Sequence, residues 1–179
     1  PFHFPEYINE DGNLYLVGHC RYSTSDLEYN QPISNDYISV VHNGVVTQEL
    51  PEHWKELYGY DCETKNDTEL LLHTIQENVS PLRRWKDSSL AVCVLQSSEV
   101  SKELKVFRNG KRPIYLTAMT NGVIITSTED IPRRAGIKMP AVEVPLNTYL
   151  TFDENMTMNV ETEKIEHSVD YQNYENISY

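Results

Sequence analysis

The sequence predicts an α+β layered domain in which two antiparallel sheets lie between helices. Three observations carry that expectation. Apolar runs at residues 14–18 and 37–41 have the length and the bounding turn residues of strands. Between residues 50 and 79 the apolar spacing becomes helical, most clearly in Leu70, Leu71, Leu72, Ile75 and Val79. From residue 90 onward short apolar runs return, separated by Asn-Gly dipeptides.

Each element has a local reason. The first twelve residues are polar and turn-like and end in Asp11-Gly12. Leu14, Leu16 and Val17 read as a buried strand that stops at Gly18. Residues 21–35, rich in Ser, Asn and Asp with Pro32 among them, read as a loop. The strand at 37–41 is cut off by Asn43-Gly44, two residues that tolerate positive φ. Pro51 suits a first helical turn, and Leu50, Trp54 and Leu57 follow at helical spacing. Asp67 or Asn66 caps the second helix, Glu69 sits in its first turn, and Pro81 ends it. Residues 90–95 form a near-continuous apolar strand. The runs at 104–107, 113–116 and 123–125 extend it as an antiparallel meander with turns at Asn109-Gly110 and Asn121-Gly122. A short helix over 129–135 and strands near 142–144 and 149–152 complete the domain. From Glu161 the chain is charged, rich in Tyr and Asn, and without period. The expected division is therefore one domain over 1–160 and a loose tail over 161–179.

Bulk composition narrows the function classes. A chain of 179 residues can bury one real core. Fifteen basic against 27 acidic residues give a net charge of -12, which argues against nucleic acid or an anionic membrane as partner. Cys20, Cys62 and Cys93 form no CxxC pair, so neither a disulfide framework nor a zinc signature is expected. A reducing compartment, the cytoplasm, is the simpler reading. No apolar run approaches the roughly 18 residues of a membrane span, and no charged-then-apolar leader opens the chain. His53, His73 and His167 are scattered and make no metal set, and no cofactor is expected.

The chemistry-bearing residues fall in three segments. Gly18-His19-Cys20-Arg21-Tyr22-Ser23-Thr24 places Arg21 just past a strand, and a guanidinium is the natural partner of a carboxylate. Asp67, at a helix start, can accept from an ammonium group; it can equally be only an N-cap. Asn43-Gly44 can be a plain hairpin turn. It also offers a side-chain amide beside a backbone N–H, the donor types of an oxyanion hole. Held in one pocket, Arg21 and Asp67 would read the two ends of a free α-amino acid. His19 and His42 each flank a strand and read as structural histidines rather than general bases.

Taken together, these segments resemble the glutaminase domain of class II glutamine amidotransferases, the N-terminal-nucleophile group. Gly18 to Thr24 resembles its GHxR[YW][SA]T segment, and Val40-Val41-His42-Asn43-Gly44 its VVHNG segment. Tyr29-Asn30-Gln31-Pro32 resembles NxQP, with Tyr29 replacing the usual Asn. Asn66 to Leu72 resembles the acidic helix start. Residues 108–113 and 126–130 resemble later landmarks of the amidophosphoribosyltransferase branch.

The resemblance implies a four-layer αββα sandwich of two antiparallel sheets. It further implies that Arg21, with Thr24 nearby, holds the glutamine carboxylate, that Asp67 binds the α-amino group, and that Asn43 and Gly44 form the oxyanion hole. The family's nucleophile is an N-terminal cysteine, several tens of residues before the Arg-containing segment. Here seventeen residues precede Gly18 and the first is Pro1, so the domain is expected to be incomplete at its N-terminus. Glutamine, and a synthase domain or subunit that accepts ammonia, are the expected partners. Two further readings stay open: a nucleophile on another chain, and a non-catalytic binding or assembly module that reuses the fold.

Overall fold

The computed structural model describes residues 6–20, 30–98 and 102–166. Strands β1 (Glu6–Ile8) and β2 (Leu14–Leu16) make a hairpin whose register pairs residue 7 with Tyr15. Next come β3 (Ile33–Ser34) and β4 (Ile38–His42), then helices α1 (Trp54–Tyr58), α2 (Thr68–Gln76) and α3 (Pro81–Arg84). The second half contains β5 (Ala91–Ser97), β6 (Lys102–Arg108), β7 (Tyr115–Met119), β8 (Gly122–Thr126), α4 (Asp130–Arg134), β9 (Ala141–Glu143), β10 (Thr148–Asp153) and β11 (Met158–Thr162).

Six strands form one antiparallel sheet in the order β11-β10-β6-β5-β4-β3, and β8-β7-β9 form a second. Strand alternation sorts the apolar side chains of the large sheet into two cores. Val40, Val92, Val94, Phe107 and Tyr149 face the helices, where they meet Trp54, Leu70, Leu71, Leu82 and Trp85. Val41, Ala91, Leu95, Val106, Leu150 and Phe152 face the other way, toward Tyr15, Val17, Ile114 and Val144. A strand buried on both faces reads as a continuous apolar run, which accounts for residues 90–95. The expected helix–sheet–sheet order is present, and α4 packs on β8 as the last helical element.

Several local expectations are corrected. Pro81 does not end α2, which stops at Gln76; it opens α3, and Ser80 Oγ accepts the N–H of Arg83 at 3.3 Å. A proline loses nothing at that position, because its missing N–H would have no helical partner there. Tyr149 ties α3 to β10: its hydroxyl lies 2.8 Å from Ser80 Oγ and accepts the N–H of Leu82 at 3.2 Å. Burial pushes that phenol up to about 12. Asn109-Gly110 is not the tip of a hairpin, since β6 stays in the large sheet and β7 belongs to the other. Asn109 is buried; its side chain accepts the N–H of Leu90 at 2.9 Å and donates to Ser88 O at 2.7 Å. Residues 6–8 and 33–34, read as turn and loop, are short edge strands. β11 carries regular pairing to Thr162, past the residue at which the tail is expected to start, and Glu163 N donates to Asn147 O at 2.8 Å.

Candidate functional site

The end of β4 is built around a glycine that cannot be replaced. Val45 pairs with Ser89 as an isolated bridge, so the chain continues along β5 through Asn43 and Gly44 instead of turning back. A Cβ on Gly44 would lie 1.9 Å from Ser89 O and 2.8 Å from His42 Nε2, and its φ is +147°. Beneath it, His42 is buried and its Nε2 lies 2.8 Å from Ser89 O. A carbonyl only accepts, so the proton is on Nε2. Burial holds the His42 pKa below its usual value against the opposing pulls of the Ser89 carbonyl and Asp67, and Arg112 adds to the lowering. His42 is thus a neutral structural histidine, as its position beside a strand suggests.

Hydrogen-bond directions decide what Gly44 offers. Asn43 N donates to Ala91 O at 2.9 Å and Val45 N to Ser89 O at 3.0 Å, both toward β5. His42 faces the opposite edge, where the Gln31 side chain accepts its N–H and donates to its carbonyl at 3.1 Å. By strand alternation the N–H of Gly44 lies on that same opposite edge. It has no hydrogen-bond acceptor among the described residues, and neither has the exposed Asn43 side chain. Two uncommitted donors on adjacent residues therefore stand beside the Gln31 clamp.

They open onto a cleft of about 630 Å³ at the end of the inter-sheet core. Gly18, His19 and Cys20, just past β2, form one wall, and Ile125, Thr126 and Ser127 at the end of β8 form another. Gln31, Asn43 and Gly44 contribute from β4 and its approach. A second cleft of about 650 Å³, between α4 and the start of β9, is lined by Glu129 and Asp130 but by none of the predicted site residues.

Asp67 is not on the lining of this cleft but is close enough to act electrostatically on His42, which is. Asn66, not Asp67, supplies the capping oxygen of α2, through Asn66 Oδ1 and the N–H of Thr68 at 3.0 Å. Asp67 is left to hold the chain just beyond Gly44: its Oδ2 accepts the N–H of Val46 at 2.6 Å and of Thr47 at 3.4 Å. Its Oδ1 has no partner among the described residues. The structure thus brings Asn43 and Gly44 to the mouth of the cleft and Asp67 to the segment that follows them. Arg21 and Thr24 lie outside the described residues. Gln31, which the NxQP segment marks without giving it a role, and Ser89, which no motif marks, hold both edges of this strand end.

The described cysteines differ in accessibility. Cys93 lies against the inter-sheet core, and burial pushes its thiol up to about 12. Cys62, ahead of α2, is also pushed up to about 12, by burial and then by Glu69 and Asp61. Cys20 is exposed at the cleft wall.

A family model described as a glutamine amidotransferase domain matches residues 6–170. The fold is similar to that of glutamine phosphoribosylpyrophosphate amidotransferase from B. subtilis, solved with ADP and GMP, with a TM-score of 0.63 and 21% identity. It is similar also to a structure described as the allosteric regulatory enzyme of purine biosynthesis, with a TM-score of 0.64 and 19% identity. In both, the match covers 83% of this chain and 35% of the other, so this chain spans about a third of their length. No curated protein sequence matches at a significant level. The match over residues 6–170 leaves no doubt of the family: this chain belongs to the glutamine amidotransferase domains.

Proposed function

We propose that the cleft binds glutamine and that the domain hydrolyses its side-chain amide to glutamate and ammonia. The observation that carries this reading is the pair of uncommitted donors, the Asn43 side chain and the Gly44 N–H, at the mouth of the cleft. A thiolate attacking the amide carbon turns its carbonyl oxygen into an oxyanion. Two donors already fixed in place stabilise that charge without reorganising. The nitrogen leaves as ammonia once protonated, and water then cleaves the glutamyl thioester.

In this reading the substrate is held by its head. Arg21 and Thr24 take the carboxylate. Asp67 uses Oδ2 to keep residues 46 and 47 in place and offers Oδ1 to the ammonium group. The nucleophile that the family resemblance implies is an N-terminal cysteine; Cys62 and Cys93, whose thiols burial pushes up to about 12, are unsuited to the role. Ammonia passes to a synthase domain or subunit, in the reducing cytoplasm.

Calorimetry with glutamine tests the binding half without requiring the nucleophile. Wild type binds L-glutamine, and Arg21→Ala and Asp67→Asn each weaken binding at least about tenfold, the loss of about 1.4 kcal/mol expected for a charge-assisted contact. Equal affinity in all three proteins would remove Arg21 and Asp67 from the site. Glutamine binding without ammonia release by the full-length natural protein would favour the non-catalytic module.

A further inference from the structure

Ahead of α2, the chain brings together three side chains of different elements and different chemistry. Cys62 Sγ, a carboxylate oxygen of Glu69 and a ring nitrogen of His73 all lie within 4.8 Å of one another. Glu69 and His73 are four residues apart on α2 and so share one face of the helix. Cys62 comes from the preceding loop, and Glu69 itself draws that loop in. Its Oε1 accepts the N–H of Glu63 at 2.7 Å, and its Oε2 accepts the N–H and hydroxyl of Thr64 at 2.7 and 2.6 Å. The expectation from sequence that the histidines make no metal set overlooks this closure, because the residues that join His73 are not histidines.

His73 carries the decisive observation. Its Nε2 is buried and has no hydrogen-bond partner; Glu69 Oε1, 3.7 Å away, is too far to be one. The ring is held in place by stacking on Tyr60, with centroids 5.2 Å apart and planes 11° from parallel. An imidazole nitrogen fixed in orientation, buried and unsatisfied is expensive unless something fills the space before it. Glu69 is buried, and its Oε1 still has a lone pair beyond the one Glu63 uses.

We propose that Cys62, Glu69 and His73 bind a divalent transition-metal ion of the zinc type. Sulfur, nitrogen and oxygen donors together suit Zn²⁺ better than Mg²⁺ or Ca²⁺, which take oxygen ligands. Tetrahedral bonds of about 2.0–2.3 Å place neighbouring ligand atoms about 3.3–3.8 Å apart, so side-chain adjustments of roughly 1 Å complete the site. Three protein ligands leave the fourth position to water. The ion would fasten the Cys62 loop to the first turns of α2, immediately beside Asp67. This reading stands whether or not the cleft hydrolyses glutamine.

The test uses the full chain, stripped with chelator and titrated with Co²⁺ as a spectroscopic stand-in and then with Zn²⁺. One equivalent of Co²⁺ should produce a thiolate-to-cobalt charge-transfer band that Zn²⁺ abolishes, and Zn²⁺ should raise Tm. Cys62→Ser and His73→Gln, each checked by circular dichroism for native secondary structure, should lose the band or the Tm response and bind at least about tenfold more weakly. Cys20→Ser should keep both. Absence of a thiolate band in wild type, its persistence in Cys62→Ser, or its loss in Cys20→Ser would overturn the proposal. Should Cys62→Ser fail to fold, His73→Gln, altered at a partly exposed side chain, decides the matter by its Zn²⁺ affinity alone.

Discussion

At position 44 a single hydrogen is all that fits between the strand and the Ser89 carbonyl. Gly44→Ala sets a methyl 1.9 Å from Ser89 O and keeps a φ of +147° that L side chains rarely adopt. Urea unfolding should therefore show a loss of at least about 2 kcal/mol, with the midpoint lowered and the slope unchanged. His42 supplies a pH signature at the same place. Its folded pKa lies below the ordinary 6.5 because burial penalises the charged ring. Above pH 6.5 neither state is charged and the native packing of His42 contributes fully. As pH falls below 6.5 the unfolded chain takes up a proton that the folded chain refuses, so stability declines by up to about 1.4 kcal/mol per pH unit until the lowered folded value is passed. Stability measured between pH 5 and 8 should fall on the acid side in wild type and flatten in His42→Gln. Cysteine accessibility gives a third residue-scale outcome. Iodoacetamide under native conditions should modify the exposed Cys20 first and spare Cys62 and Cys93, as peptide mass mapping would record.

Short elements here depend on tertiary anchors more than on their own propensity. α3 is one turn long, and its start is pinned by the Tyr149 hydroxyl across the core. Tyr149→Phe removes that hydroxyl from a buried N–H and should cost about 1–2 kcal/mol in chemical denaturation, with amide exchange of α3 accelerated more than that of α2. Elements of this kind also mark where sequence reading runs out. α2 was legible because Leu70, Leu71, Leu72 and Ile75 repeat at helical spacing and a capping Asn66 precedes them, though its end at Gln76 was not, since Val79 continues the stripe. β4 was legible because its apolar run ends at Asn43-Gly44. The destination of the chain after Asn109-Gly110 was not, since turn chemistry is local whereas the choice of sheet is decided by distant partners. β3 has two residues and no pattern to read. Gln31 escaped notice as a clamp because its bonds to His42 depend on how the loop is folded back.

At the scale of the molecule, the large sheet carries a core on each face, the second sheet packs over one of them, and the cleft opens where that core ends. Phe107, fully buried among Tyr149, Val92 and the helices, belongs to the first core and is remote from the cleft lining. Phe107→Ala should cost about 3–5 kcal/mol of stability. The layer order was legible from the change of period along the chain, and the end of β4 at Asn43-Gly44 from its motif. The position of Asp67 off the cleft lining was not, because only the fold reveals that its carboxylate holds residues 46 and 47. The central claim is that Asn43 and Gly44 stabilise an oxyanion, and the most direct measurement is ammonia release from glutamine by the full-length natural protein and its Asn43→Ala variant. The variant should show a kcat lower by about 100–1000-fold with KM little changed, the loss expected when one oxyanion donor is removed. An unchanged kcat, with native stability in both proteins, would contradict it.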